Sequence, residues 1–285
     1  MTVVRALILT GYGLNCDYET DYSIKMAGAE SHRMHINELI HRENSDPETG
    51  LSHYHILVFG GGFSWADDHG AGVVLASKLK FNIGEQIYRF IRDGKLIIGI
   101  CNGFQSLVNL GLLPGFEYSY QERRVALIGN NSGNFIDCWV NLKINPESHC
   151  IFTRGLLQIE LPVRHAEGKI FADDKDIDLL FSNNQVVMQY ADENGDIADG
   201  KWPLNPNGSL KDIAGICDPT GRIFGLMPHP EAFHDLTNHP DWTRKKEALN
   251  RERKSIETRE GDGIRIFRNA VEYIREEIES GILLK

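Results

Sequence analysis

Over the first 111 positions, apolar residues come in two alternating patterns. Val3–Thr10, His55–Phe59 and the Ile-rich Lys95–Ile100 are short, nearly unbroken apolar runs that read as strands buried on both faces. His32–Ile36 predicts a further short strand. Between these runs the apolar positions take helical spacing. Residues 18–29 carry Tyr22, Ile24, Met26 and Ala27 and close at Gly28, and residues 82–93 close at Asp93-Gly94. Phe104, Leu107, Val108 and Leu110 repeat the helical pattern up to Gly111. Strand–helix alternation of this kind predicts a parallel sheet flanked by helices, with ligands at the carboxyl ends of the strands.

Past Gly111-Leu112-Leu113-Pro114-Gly115 the pattern changes. Val125–Ile128, Cys138–Ile144, Gln158–Val163, Val186–Tyr190, Ile213–Cys217 and Ile223–Leu226 are short runs that predict an added antiparallel or mixed strand region. Turn signals separate them, including Asn183-Asn184, Glu193-Asn194-Gly195 and Asn205-Pro206-Asn207-Gly208. Residues 234–260 form a polar insertion containing a solvated helix from Asp241 onward. Gly263–Glu279 predicts a final helix that buries Ile264, Ile266, Phe267, Ala270, Val271, Ile274 and Ile278. The expected organisation is a single domain over residues 1–285.

Composition narrows the function classes. The formal charge of −10 argues against a nucleic-acid binder, which would show a basic stripe. No apolar run approaches the roughly 20 residues of a membrane helix, and the first ten residues lack a signal-peptide pattern. The five cysteines are scattered and contain no CxxC, which fits reduced cytoplasmic thiols and neither a disulfide framework nor a zinc site. No metal-ligand spacing is present around the histidines at 32 and 35.

Three features bear on chemistry. Gly99-Ile100-Cys101-Asn102-Gly103 places a cysteine between two glycines at a strand-to-helix turn, the spacing of a nucleophile elbow. Such a turn is strained, and side chains beside the nucleophile would clash with the neighbouring strand and helix. Gly60-Gly61-Gly62-Phe63 ends a strand with bare backbone suited to an oxyanion hole, though a flexible loop would read the same way. Met227-Pro228-His229-Pro230-Glu231 pins a histidine between two prolines and places a carboxylate two residues on. That suits a base held by its orienter, although alone it would also pass for a surface loop. Together the three parts are what acyl transfer through a thioester requires, with no bound metal or cofactor. Gly11-Tyr12-Gly13 meets no phosphate-loop spacing and reads as a tight turn.

The elbow and the His-x-Glu loop resemble the class I, or triad, glutamine amidotransferase family. The chain is more narrowly similar to the glutaminase family of phosphoribosylformylglycinamidine synthases. That match rests also on Gly61-Gly62-Phe63-Ser64, Pro162–Gly168, Gln189–Gly195 and Asn205–Ser209, in the family's order. The resemblance implies a flavodoxin-like fold and L-glutamine as substrate. Cys101 is then the nucleophile, His229 the proton shuttle and Glu231 its orienter. The oxyanion falls to the N–H of Asn102 and an N–H of Gly61, Gly62 or Phe63, and Gln105 lies near the bound glutamine. It further implies that ammonia passes to a separate synthetase using ATP and Mg, joined in one form of the family by a small third subunit. The chain departs from relatives in Trp65-Ala66 after the Gly-Gly-Phe-Ser, in His69 at an arginine position and in Ala232 after the His-Pro-Glu. Two other readings compete. ThiJ/PfpI-type hydrolases share an elbow cysteine but place a histidine directly after it, where Asn102 stands here. Amidotransferases for other acceptors share the triad.

Overall fold

The computed structural model describes residues 2–251 and 260–283. The elements run β1 (Arg5–Thr10), α1 (Asp17–Met26), β2 (Glu30–His35), α2 (Ile36–Ser45), β3 (Ile56–Phe59), α3 (Val73–Arg92), β4 (Leu96–Ile100) and α4 (Asn102–Leu110). The second half adds β5 (Ala126–Gly129), β6 (Ile136–Ile144), β7 (Gln158–His165), β8 (Glu167–Phe171), α5 (Asp174–Ser182), β9 (Val186–Ala191), β10 (Ile213–Cys217), β11 (Ile223–Leu226), α6 (Trp242–Arg251) and α7 (Gly263–Glu279).

Nine strands form one sheet in the order β2-β1-β3-β4-β11-β10-β9-β6-β7. The five strands from β2 to β11 are parallel, and the remaining four pair antiparallel. This is the flavodoxin-like strand order with an antiparallel extension. β3, β4 and β11 are buried at every position, as their unbroken apolar runs require of strands covered on both faces. α1 packs with α7, while α3 packs with α2 and α4, so helices flank the parallel strands in two groups. All seven apolar positions expected of α7 are buried.

Several elements differ from the sequence reading. α3 begins at Val73, well before the predicted start at 82. Exposed Phe81 and the non-helical backbone of Ile83 (φ −140°) interrupt its apolar stripe. α2 was not predicted, because Ile36 and Leu39 are its only buried apolar residues. Its start is fixed by His35, whose Nδ1 accepts from the N–H of Asn37. β8 and α5 also escape the apolar pattern. β8 pairs only with β5, in a separate two-stranded sheet. In the polar insertion, α6 buries no residue, as expected of a solvated helix. Glu160 ties this region to the sheet by pairing with Lys245 and with His239 Nε2 at 2.9 Å. The insertion's residues 252–259 lie outside the described residues.

Candidate active site

Four adjacent parallel strands end at one edge of the sheet, and each hands its following loop to the same place. β1 leads to Gly11–Cys16, β3 to Gly60–Phe63, β4 to Cys101 and β11 to Met227–Glu231. Strand order reverses between β1 and β3, which is the switch point where open α/β sheets bind ligands.

Cys101 sits between β4 and α4 with φ 52° and ψ −107°, a conformation disfavoured for a side-chain-bearing residue. Its N–H continues the sheet by donating to Leu226 O at 2.8 Å. The flanking glycines are there for space. A Cβ on Gly103 would lie 1.9 Å from Phe59 O, and one on Gly99 would lie 2.6 Å from Leu107 Cδ1. The strained turn therefore survives because β3 and α4 close in on it from both sides. The first N–H groups of α4, starting at Asn102, have no acceptor within the helix, and the helix dipole adds positive potential beside the sulfur.

His229 Nδ1 lies 2.6 Å from Glu231 Oε1, and both side chains are almost fully buried (2% and 1% exposed). The loop is held in place, since the His229 N–H donates to Pro162 O at 2.8 Å and Ser23 Oγ donates to Glu231 O at 3.4 Å. The other ring nitrogen, Nε2, is buried without a hydrogen-bond partner. The thiols of Cys101 and Cys16 interact with the ring, although neither reaches hydrogen-bond geometry with Nε2. Burial disfavours a charged imidazole here. The Glu231 carboxylate and the two sulfurs outweigh it and hold His229 well above the usual histidine range.

Gly61 and Gly62 form the third side of the site. A Cβ on Gly61 would lie 2.8 Å from His229 Cε1 and 3.2 Å from Cys16 Sγ, so the bare backbone is what admits the ring. The loop after β1 clamps this strand end, because Asn15 and Cys16 both donate their N–H to Gly61 O at 3.3 Å. One expected oxyanion donor is already committed: the Phe63 N–H donates to Gly13 O at 2.9 Å. That leaves Gly61 and Gly62 as loop donors, of which Gly62 lines the pocket.

Gln105, expected near bound glutamine, has a buried side chain whose Nε2 donates to Glu167 O at 2.5 Å and whose Oε1 accepts from Asn102 Nδ2 at 3.3 Å. Asn102 Nδ2 also donates to Asp67 Oδ1 at 3.1 Å. Burial and the neighbouring Glu167 carboxylate push Asp67 up to about 6. Trp65, Ala66 and Asp67 are all left-handed (φ 53°, 55° and 57°), which brings Asp67 over the elbow.

The pocket at this edge has a volume of about 250 Å³. Besides Cys101, His229 and Gly62, it is lined by Cys16, Glu19, Asp137 and Arg164, none of them singled out from sequence. Cys16 had one legible signal, its position just past the carboxyl end of the first strand. Arg164 and Asp137 come from the antiparallel extension and lie 3.8 Å apart, so only the fold places them here. Exposed Phe63 and Phe135 meet at the rim with ring centroids 6.2 Å apart.

The stretches that carried the narrower resemblance pack together. Asn207 Nδ2 donates to Gly168 O at 2.9 Å and to the Tyr190 hydroxyl at 3.1 Å. Burial lowers His165 to about 3, so its imidazole stays neutral within this cluster.

Comparison with known proteins gives a consistent picture. A family model described as a CobB/CobQ-like glutamine amidotransferase domain matches residues 3–274. A Methanococcus maripaludis protein named phosphoribosylformylglycinamidine synthase subunit PurQ is 43% identical over 277 residues, 96% of this chain and 98% of that protein. A protein of the same name from Dehalococcoides mccartyi is 45% identical over 276 residues, covering 97% of this chain and all (100%) of that protein. Among solved structures, a chain of the PurLQS structure from Thermotoga maritima superposes with a TM-score of 0.68 at 27% identity, covering 96% of this chain and 100% of that one. A Thermotoga maritima glutamine amidotransferase shares the fold at 14% identity, with a TM-score of 0.53.

Proposed function

The chain belongs to the CobB/CobQ-like glutamine amidotransferase family, and on that premise we propose that it is the glutaminase component of a phosphoribosylformylglycinamidine synthase. It hydrolyses L-glutamine and supplies ammonia to a synthetase subunit for purine biosynthesis. The observation that carries the chemistry is the buried His229, bonded to Glu231 through Nδ1 and facing the elbow sulfur of Cys101 with its other edge.

In this reading the Cys101 thiolate attacks the side-chain amide carbon of glutamine. The amide oxygen becomes an oxyanion, which the N–H groups of Asn102 and Gly62 stabilise. His229, held charged by Glu231, gives its proton to the departing nitrogen, so ammonia leaves and a thioester remains. Neutral His229 then takes a proton from water, which attacks the thioester carbonyl and releases glutamate and the thiolate. Arg164 suits the α-carboxylate of glutamine, and Glu19 or Asp137 suits its α-ammonium. A pocket of about 250 Å³ matches an amino acid better than a nucleotide.

The chain needs no cofactor of its own for these steps. In this reading ATP and Mg are used by the synthetase and a small third subunit joins the assembly; the similar Thermotoga maritima chain belongs to a structure of PurLQS. Residues 1–285 act as one glutaminase domain. No described helix is long and apolar enough to cross a membrane. A cytoplasmic location is part of this proposal and follows from the proposed purine-pathway role.

The direct test is release of glutamate and ammonia from glutamine. Cys101→Ala is expected to lower turnover by at least about 10³-fold, the scale for loss of a nucleophile that acts as part of a unit. Glutamine binding, followed calorimetrically, is expected to persist in the variant. Turnover surviving the substitution would overturn the assignment.

A further inference from the structure

One group in the site has no role in the proposed hydrolysis: the Cys16 thiol. Burial raises its pKa above the ordinary thiol range, so at neutral pH it stays protonated and does not compete with Cys101 as a nucleophile. Its position is nevertheless specific. Cys16 Sγ, a ring nitrogen of His229 and a carboxylate oxygen of Glu231 all lie within 4.8 Å of one another. Cys16 and Cys101 line the same pocket with His229. His229 Nε2 is buried and unpartnered, while Nδ1 is fixed by Glu231.

Two sulfurs and an imidazole, with a carboxylate behind the second ring nitrogen, make the donor set of a thiophilic cation site. Metal-bound histidines typically give their other N–H to a carboxylate, which fixes the tautomer and raises ligand basicity. Tetrahedral zinc with bonds of about 2.3 Å to sulfur and about 2.0 Å to nitrogen sets its ligand atoms roughly 3.5 Å apart. Cys16 Sγ and the His229 ring nitrogen, within 4.8 Å of each other, would close by about 1 Å to reach that spacing, and Cys16 lies on the loop before α1. Metal binding would release two protons to solvent, one from the Cys16 thiol and one from Nε2 of the His229 imidazolium that accompanies the Cys101 thiolate, leave a water in the fourth position and involve no redox step.

We propose that Cys16, Cys101 and His229 Nε2 form an inhibitory site for a thiophilic divalent cation of the Zn²⁺ class, with Glu231 orienting the imidazole. Occupancy removes both nucleophile and base, so the site turns the glutaminase off. A Cys–His pair alone would bind such an ion weakly, and Cys16 supplies the added ligand. The inhibitory consequence rests on the catalytic reading above, whereas the binding itself does not.

The experiment has two arms, both on the full chain in the presence of a non-thiol reductant. In the first, Co²⁺ is titrated while the thiolate-to-cobalt charge-transfer band is followed. The expected result is one ion per chain, with the band per bound ion about halved in Cys16→Ala and again in Cys101→Ala, as the number of bound thiolates falls from two to one. In the second, Zn²⁺ inhibition of glutamine hydrolysis is compared between the wild type and Cys16→Ala, and the variant is expected to need at least about tenfold more zinc. A cobalt band unchanged in Cys16→Ala would overturn the proposal, as would equal zinc sensitivity. The cobalt arm needs no turnover. Failure of the glutaminase reading would therefore still leave the metal site testable.

Discussion

At the scale of single residues, the site combines opposed electrostatic demands. Glu231 is buried next to His229, and their 2.6 Å contact compensates the burial of each. Asp67 has no such cationic partner among the described residues. It accepts one hydrogen bond from Asn102 and faces Glu167, so ionising it costs free energy in the folded state. Its folded pKa of about 6 is raised above the unfolded carboxylate value, which fixes the sign of its effect on stability. The protonated form is favoured, and this favourable contribution is complete below about pH 4 and lost as pH rises through about 6. Asp67→Asn keeps an acceptor for Asn102 and removes the charge. Its melting temperature is expected to match the wild type near pH 4 and to exceed it above pH 7. The gain is about 1 kcal/mol once partial exposure is allowed for. Melting curves across this range check the prediction, and a variant less stable than the wild type at high pH would contradict it.

At the scale of elements, the elbow depends on how closely β3, β4 and α4 approach. The backbone strain at Cys101 persists because its neighbours leave no alternative. Gly103 carries the tightest of these contacts, against the Phe59 carbonyl at the end of β3. β3 is fully buried between β1 and β4 and cannot shift to make room. Gly103→Ala is therefore expected to cost about 3 kcal/mol or more, at the upper end for overpacking. Urea unfolding measures this directly, and a cost under about 1 kcal/mol would mean the turn is looser than its geometry implies. The loop after β11 has the complementary problem of holding a base still. Pro228 and Pro230 restrict its backbone, and β7 accepts its central N–H, so His229 is fixed before any substrate arrives.

At the scale of the whole molecule, the pocket opens at the carboxyl edge of the sheet with exposed aromatic residues at its mouth. Phe63 is 41% and Phe135 50% exposed, an apolar rim fit to be covered by another subunit. The left-handed run from Trp65 to Asp67 lies beside it and sets the position of Asn102 through Asp67. Docking at this rim would reach the loop whose Asp67 holds the Asn102 side chain, next to the elbow sulfur. Glutamate release by the isolated chain is thus expected to be slow, and to rise at least about tenfold with the synthetase partner and its substrates, by completing the donor geometry. Steady-state assays with and without the partner decide the point. Full activity of the isolated chain would show that the site is complete without docking.

Much of this was readable from sequence because it rests on local rules. Unbroken apolar runs specify strands covered on both faces, so β3, β4, β11 and the α/β class followed directly. Seven apolar positions at helical spacing specified α7, and glycines at the elbow spacing specified the strained turn at Cys101. The sequence by itself also determined the nucleophile, base and orienter as candidates, because a pinned His-x-Glu and a glycine-flanked cysteine each carry a local steric reason. Tertiary structure alone decided what depends on contacts between distant segments. It brought Cys16 from the first loop and Arg164 from the antiparallel extension into the pocket. It spent the Phe63 N–H on Gly13, and it tied the Gln105 side chain to Glu167 and Asn102. The physical reason is the same in each case. A hydrogen bond or a packed ring is set by which strand ends lie side by side, and strand order is a property of the whole sheet that no short stretch of sequence contains.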